Sequence, residues 1–314
     1  MATPPDILCM GEPMLEFNQQ APDAEGRVFY LEGHGGDTSN AAIAAARSGA
    51  RVGYVTAVGA DAGGESFQAL WRQEGIDTAT VRVNPGAPTG IYFVTHDDRG
   101  HHFTFYRTGS AAARYTSADL PLPAIAAAKL LHVSGISQAI SDTACDAVFA
   151  AIEAARGAGV KVSYDTNLRL RLWPARRAAA VMHAAIAQSD FVFPSYEDAE
   201  VLTGLSDANA IADFYLNLCP VVLLKLGKDG VLACTRERRE RIGGHVVRAV
   251  DATGAGDTFA GAFLARHVAG DDPFQAARYG NAAAALSTTG YGAVAPIPSD
   301  SVVRMLLGAG DRAA

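Results

Sequence analysis

The sequence predicts an α/β domain built on a mainly parallel sheet with helices on both faces. Short apolar runs bounded by turn residues recur along the chain, and Ala-rich stretches with helical spacing lie between them. No Pro/Gly/Ser-rich linker and no internal repeat divides the chain, so residues 1–314 read as a single domain.

In chain order the core strands are expected at "DILCMG" (6–11), "RVGYVTAVG" (51–59), "KLLHVSG" (129–135), "VKVSYD" (160–165), "DFVFPS" (190–195) and "VVLLKLG" (221–227). Helices are expected at "SNAAIAAARSG" (39–49), "DTACDAVFAAIEAARGAG" (142–159) and "TFAGAFLARHVAG" (258–270). Two segments break this rhythm, residues 14–33 and 89–109, where short runs flank the turn "HDDRG". These predict antiparallel strands without a covering helix. Their aromatics, Tyr92, Phe93, Phe103, Phe105 and Tyr106, suit a small β lid that covers a pocket, packs on another subunit, or does both.

With 314 residues, 49% of them hydrophobic, the chain has ample material for a core. The net charge of −7 argues against nucleic acid as a partner, and the densest basic run, "RERRER" at 236–241, reads as the solvated tip of a hairpin. The start "MATPPDILCMGEP" lacks the features of a signal peptide, and no apolar run reaches the ~20 residues that a membrane span needs, so a cytoplasmic protein is expected. Cys9, Cys145, Cys219 and Cys234 have neither disulfide-like nor zinc-like spacing and read as buried thiols. The histidines form no metal pattern, and those at 101 and 102 read as hydrogen-bonding or exposed lid residues. Neither a Gly-x-Ser-x-Gly elbow nor a GxxxxGK[ST] loop is present.

The informative stretch is "VDATGAGDTFAGAFL", Val250 to Leu264. It is expected to follow a strand ending near Val250 and to turn at Gly254, Ala255 and Gly256 into a helix whose first turn carries Asp257. Unpaired amides and the helix dipole make such a turn an anion site, and glycine lets the backbone approach a phosphate. Asp257 is placed to orient and deprotonate a hydroxyl, for which a carboxylate of ordinary pKa, about 4, suffices in phosphoryl transfer. The competing reading makes Asp257 only an N-cap. A second glycine pair, Gly35 and Gly36, precedes a polar N-cap and an Ala-rich helix in "GHGGDTSNAAIAAARSGA" (33–50), so that backbone amides and Asn40 can receive a polyhydroxy ligand.

Together these motifs resemble the ribokinase-like (PfkB) sugar kinases. "GGDTSNAA" is similar to the family's first signature and "DATGAGDTFAGAF" to its second, in the expected order across essentially the whole chain. The resemblance implies a three-layer α/β/α sandwich with a small β-sheet lid, ATP and Mg²⁺ as cofactors, and a monovalent cation as a further candidate; the open lid edges, a liability in a monomer, predict a homodimer or higher homo-oligomer formed through the lid. Within the family, "GEPMLEF" (11–17), "FTFYRTGSAA" (103–112) and "DTNLRLRLWP" (165–174) resemble the members that phosphorylate 2-keto-3-deoxygluconate. A sugar acid suits the planar, charged fork of arginine, which makes Arg107 and Arg169 the candidate carboxylate ligands.

By the same resemblance Asp37 and Tyr92 face the substrate. Glu16 reads either as a ligand of sugar hydroxyls or as a solvent-exposed strand carboxylate. Where the family often has Tyr-Tyr-Arg, this chain has Phe105, Tyr106 and Arg107, and strand alternation puts Phe105 on the face of Arg107 with Tyr106 pointing away. Nucleotide contacts carry over to Asp165, Asn167, Lys225, Gly227, Gly230 and Asn281, with Ser195 where the family often has asparagine. Asp198 and Glu200 are candidate Mg²⁺ contacts through water. Fructose or another ketohexose, 2-keto-3-deoxygalactonate and 5-keto-2-deoxygluconate remain alternative substrates, and a catalytically silent sugar-binding protein is the alternative from another class.

Overall fold

The computed structural model describes residues 3–97 and 100–310, and of His101, Ala309 and Gly310 the backbone alone. From the amino end the chain forms β1 (Ile7–Met10), the lid strands β2 (Met14–Gln19) and β3 (Tyr30–Gly35), α1 (Asp37–Arg47), β4 (Val52–Gly59), α2 (Ala62–Gln73), β5 (Val81–Asn84), and the lid strands β6 (Gly90–Asp97) and β7 (Gly100–Tyr106). It continues with α3 (Leu122–Ala127), β8 (Leu130–Ser134), α4 (Gly135–Ala139), α5 (Asp142–Gly157), β9 (Lys161–Asp165), α6 (Ala175–Ile186), β10 (Phe191–Phe193), α7 (Tyr196–Thr203), α8 (Ala208–Leu216) and β11 (Val221–Lys225). The hairpin β12 (Val231–Cys234) and β13 (Arg239–Ile242) precedes α9 (Ala255–Val268), α10 (Pro273–Ser287) and α11 (Asp300–Gly310).

Among the described residues, nine strands form one sheet in the order β13-β12-β11-β10-β9-β8-β1-β4-β5, parallel except for β12 and β13. The six expected core strands are its parallel interior. Alternate residues serve opposite faces: Leu8 and Met10 pack with α5, α6 and α8, whereas Ile7 and Cys9 pack with α1, α2, α9 and α10. Both faces of each core strand are therefore dry, which is why these runs are almost continuously apolar. The four cysteines are buried and unpaired, and "RERRER" supplies the tip and second strand of the β12–β13 hairpin. No helix among the described residues is long and apolar enough to cross a membrane.

The lid is a second sheet of order β3-β2-β6-β7, drawn from both segments that break the βα rhythm; each segment pairs antiparallel within itself as expected, but β2 and β6, where the two meet, run parallel. The turn expected over "HDDRG" includes Asp98 and Arg99, which lie outside the described residues, as does the side chain of His101; His102 pairs with Asp97 at 2.8 Å.

Two local expectations are corrected. No strand runs to Val250: β13 ends at Ile242, and residues 243–249 follow as irregular backbone. At Gly244 the chain lies so close to the carbonyl of Lys228, 2.0 Å from where a Cβ would sit, that it crosses the β11–β12 turn rather than extending the sheet. The N-cap of α1 is Gly36 at φ 106°, not a polar side chain, and Asp37 stands in the first turn.

Candidate active site

The site forms at the carboxyl edge of the large sheet, where open α/β sheets place ligands. There β9 delivers Asp165, β11 delivers Lys225, and helices α1 and α9 begin. Gly254 caps α9 in the left-handed conformation, φ 75°, which lets the chain turn sharply into the helix; the Ala255 amide donates to the carbonyl of Ala252 at 3.2 Å, leaving the amides of Gly256 and Asp257 for a ligand. Asp257 stands in that first turn with no capping bond to make. Its carboxylate instead accepts from Nδ2 of Asn40 at 2.9 Å and, at 3.4 Å, from Nδ2 of Asn167.

Asn167 joins the same cluster from the loop after β9, and its Nδ2 also donates to Asp37 at 3.1 Å. Among the described residues it is the one non-glycine with positive φ, 35°. That conformation costs energy, and here it turns the side chain toward two carboxylates. Oδ1 of Asp37 and Oδ1 of Asn40 are buried without a hydrogen-bond partner, so the cluster offers acceptors that a ligand's hydroxyls can satisfy.

The electrostatics follow from this crowding. Burial, and then the negative charge of Asp37, push Asp257 up to about 7, against the restraining hydrogen bond from Asn40. The ordinary value expected for this carboxylate is thus corrected. Asp165 is buried and lifted to about 6 by desolvation, opposed by Lys225, whose ammonium pairs with it at 2.7 Å. The same ammonium lies 3.2 Å from where a Cβ on Gly256 would be, so it stands against the first turn of α9. A cation thereby stands beside the amides of Gly256 and Asp257, an arrangement able to hold a phosphoryl group.

The lid supplies the opposite wall. Tyr92 is buried and donates to Oε2 of Glu16 at 2.5 Å, which removes the solvent-exposed reading of Glu16. Phe105 packs on Tyr92 with ring centroids 5.5 Å apart and lies 5.9 Å from the Arg107 guanidinium. Tyr106 contacts Phe93 instead, on the other face, so the structure does not bring it to the pocket. Tyr92 also touches the site floor: a Cβ on Gly35 would sit 2.6 Å from its hydroxyl.

The other expected residues divide. Arg169 is exposed beside the loop after β9, and its side chain bonds only the carbonyl of Leu168 among the described residues. Arg107 donates Nε at 2.7 Å, and Nη2, to Glu12. Gly227 and Gly230 shape the β11–β12 turn with positive φ. Asn281 spends its amide on the carbonyl of Gly243 at 2.8 Å, tying α10 to the segment after β13. Ser195 caps α7 through the amide of Asp198, while Asp198 accepts from Thr166 and the Leu168 amide, both at 2.9 Å. Asp198 therefore holds the loop that carries Asn167, and Glu200 is half-buried on the same helix.

The sequence reading passed over Glu12, Ser110 and Arg171, although each bonds across the lid boundary. One signal was available: Glu12 follows an entirely apolar strand, where a carboxylate needs a partner.

No group of three or more potential ligands forms a metal cage among the described residues. Mg²⁺ bound chiefly by phosphate and water oxygens does not require such a cage.

A β-lidded parallel sheet with an aspartate at a glycine-capped helix start defines a phosphoryl-transfer enzyme of the sugar-kinase class. The chain belongs to the pfkB family of carbohydrate kinases, whose model matches residues 6–300. It is 33% identical over 313 residues to the 2-dehydro-3-deoxygluconokinase of Thermoproteus tenax, covering 96% of this chain and 94% of that protein. Fructokinase-1 of Oryza sativa subsp. japonica is also 33% identical, over 315 residues, with 96% and 97% covered. Among solved structures, a PfkB protein from Polaromonas sp. JS666 superposes with TM-score 0.86 at 28% identity, covering 96% of this chain and 99% of that one. The fructokinase of Xylella fastidiosa with bound ATP superposes with TM-score 0.89 at 26% identity, covering 97% and 98%.

Proposed function

We propose that the protein transfers the terminal phosphoryl group of ATP to the terminal hydroxyl of 2-keto-3-deoxygluconate. The observation that carries the reaction is the Asp257 carboxylate, aimed by Asn40 and Asn167 beside the amides of α9. Asp257 takes the hydroxyl proton as the new O–P bond forms, the bond between the β- and γ-phosphates breaks, and ADP leaves. Lys225 and the α9 amides hold the transferred group. When bound, Mg²⁺ neutralises charge on the phosphates. Tyr92, Phe103 and Phe105 exclude water that would otherwise accept the phosphoryl group.

The acid is favoured by two unspent guanidinium edges. Arg169 has no carboxylate partner, and Nη1 of Arg107 has no acceptor, among the described residues. A neutral ketohexose such as fructose is the second reading, favoured because Glu12 already takes two donor nitrogens of Arg107 and because fructokinases are as similar to this chain as the sugar-acid kinase. A coupled ADP-release assay with Mg·ATP against the 2-keto-3-deoxy acids, 5-keto-2-deoxygluconate, fructose and ribose separates the readings. A neutral sugar turned over fastest would overturn the acid assignment and leave Asp257 in place.

The lid also supports self-association. It leaves Leu31 63% and Tyr106 61% exposed, together with Phe29 and Tyr30, an apolar surface on short strands with open edges. The protein pairs through this surface as a homodimer or larger homo-oligomer; a stable monomer in light scattering refutes it.

A further inference from the structure

The lid meets the large sheet through a small number of chain crossings. One, residues 11–13, leads from β1 to β2; another, residues 88–89, enters β6; a third, residues 107–110, leaves β7. The carboxylate of Glu12 lies where these meet. Its side chain is wholly buried and that of Arg107 only 11% exposed. Oε2 accepts from Nε of Arg107 at 2.7 Å and from Nη2; Oε1 accepts from Oγ of Ser110 at 2.6 Å. A Cβ on Gly90, at the start of β6, would stand 3.1 Å from Oε1, so the second crossing packs directly on this carboxylate. The backbone of Glu12 in turn underlies Gly36, whose Cβ would meet the Glu12 carbonyl at 2.4 Å. One residue thus touches every lid crossing and the start of α1.

A buried carboxylate is costly unless its charge and lone pairs are answered, and here two guanidinium nitrogens on Oε2 and a hydroxyl on Oε1 answer them. Such a pair stabilises little over an apolar one of equal shape, but it fixes geometry. Arg107 is the first residue after β7, and its guanidinium is 5.9 Å from Phe105, which packs on Tyr92 in the pocket wall.

We infer that Glu12 is a positioning residue for the sugar site: it pins the root of the lid and holds Arg107 by one edge, so that the other edge and the aromatic wall keep a fixed relation to Asp257. Kinetic readout of this inference rests on the phosphoryl-transfer reading above, whereas its structural readout does not.

The test is Glu12→Gln, which keeps the shape and removes the charge, with Ser110→Ala as the gentler companion because it deletes a single bond. Two measurements are made. Amide hydrogen exchange compares the lid ladder of β2, β6 and β7 with the core ladder of β1, β8 and β9. Steady-state kinetics use Mg·ATP and whichever panel sugar the unaltered protein turns over fastest. In Glu12→Gln, lid exchange rises by about tenfold or more with the core ladder unchanged. The sugar KM rises about tenfold while the ATP KM stays within about twofold; Ser110→Ala moves both in the same direction by less.

Unchanged lid exchange in a folded Glu12→Gln overturns the inference, as does exchange that rises equally in both sheets, which would make Glu12 an ordinary core residue. An unchanged sugar KM also overturns it. Should Glu12→Gln fail to fold, Ser110→Ala decides by the same criteria. A protein that phosphorylates none of the sugars, yet shows the lid-confined exchange, would remove the proposed substrate and keep the pin.

Discussion

Asn40 donates its side-chain amide to Oδ2 of Asp257 at 2.9 Å, across 217 residues of sequence. The contact exists because α1 and α9 pack unusually closely: a Cβ on Gly261, one turn beyond Asp257, would fall 2.1 Å from the carbonyl of Ala41, the residue after Asn40. Backbone contact between helices thus sets the geometry of the proposed base.

Removal of the carboxylate tests its role directly. Asp257→Asn is expected to lower kcat by ~10²–10⁴-fold, the range for a positioned base, with little change in either KM. Near-normal turnover would dismiss Asp257 from proton transfer.

The raised pKa predicts where activity fails. Asp257 must be ionised to accept a proton, so kcat/KM should fall on acidification through about 7 rather than near the ordinary carboxylate value. Because the Asn40 bond favours the ionised form, Asn40→Ala should move this acidic limb upward by roughly half to one pH unit. A limb that stays in place would show that the bond does not tune the base.

Stability should respond with the opposite sign to activity. An aspartate whose folded pKa lies above its unfolded value binds more protons folded than unfolded, so its contribution to stability declines as pH rises from about 4 to 7. Asp257→Asn is therefore expected to raise Tm at pH 8 and to leave it unchanged near pH 4. Equal Tm shifts at both values would contradict the linkage.

The helix contact can be probed without touching the site. Gly261→Ala forces α1 and α9 apart and should cost about 1–3 kcal/mol while lowering kcat through the loosened Asn40–Asp257 bond. Gly157→Ala, in α5 with no atom within 4 Å of the added methyl, is the control and should be neutral or stabilising by about 0.5–1 kcal/mol. Denaturant unfolding of both variants distinguishes packing from helix propensity.

For the sugar acid, Arg169→Ala should raise the sugar KM about tenfold or more and leave the ATP KM nearly unchanged, since a charge-assisted bond to the substrate is lost. Competition kinetics between a 2-keto-3-deoxy acid and fructose make the comparison internal. An unchanged preference would assign Arg169 to the loop alone.

The core strands, the aspartate at a helix start and the lid's two segments were all legible from the order of residues, because alternation, glycine placement and apolar run length are local properties. The antiparallel edge β12–β13 was glimpsed only through its charged tip, and β5 not at all, since an exposed edge strand of four residues leaves a weak pattern. The strand expected before Gly254 fails because a Val-rich run is indifferent to whether a neighbouring strand is there to receive it.

By itself the sequence determined the sheet's apolar interior and the glycine turn into α9, since each depends on residues within a few positions of one another. Only the tertiary structure decided what Asp257 and Arg107 face. Burial and the charge of Asp37 raise the pKa of Asp257 against the bond from Asn40, and Arg107 is held by Glu12, 95 residues away. Electrostatic energy depends on distance and burial, and both are fixed by how β1, α1, β9 and α9 converge rather than by any spacing along the chain.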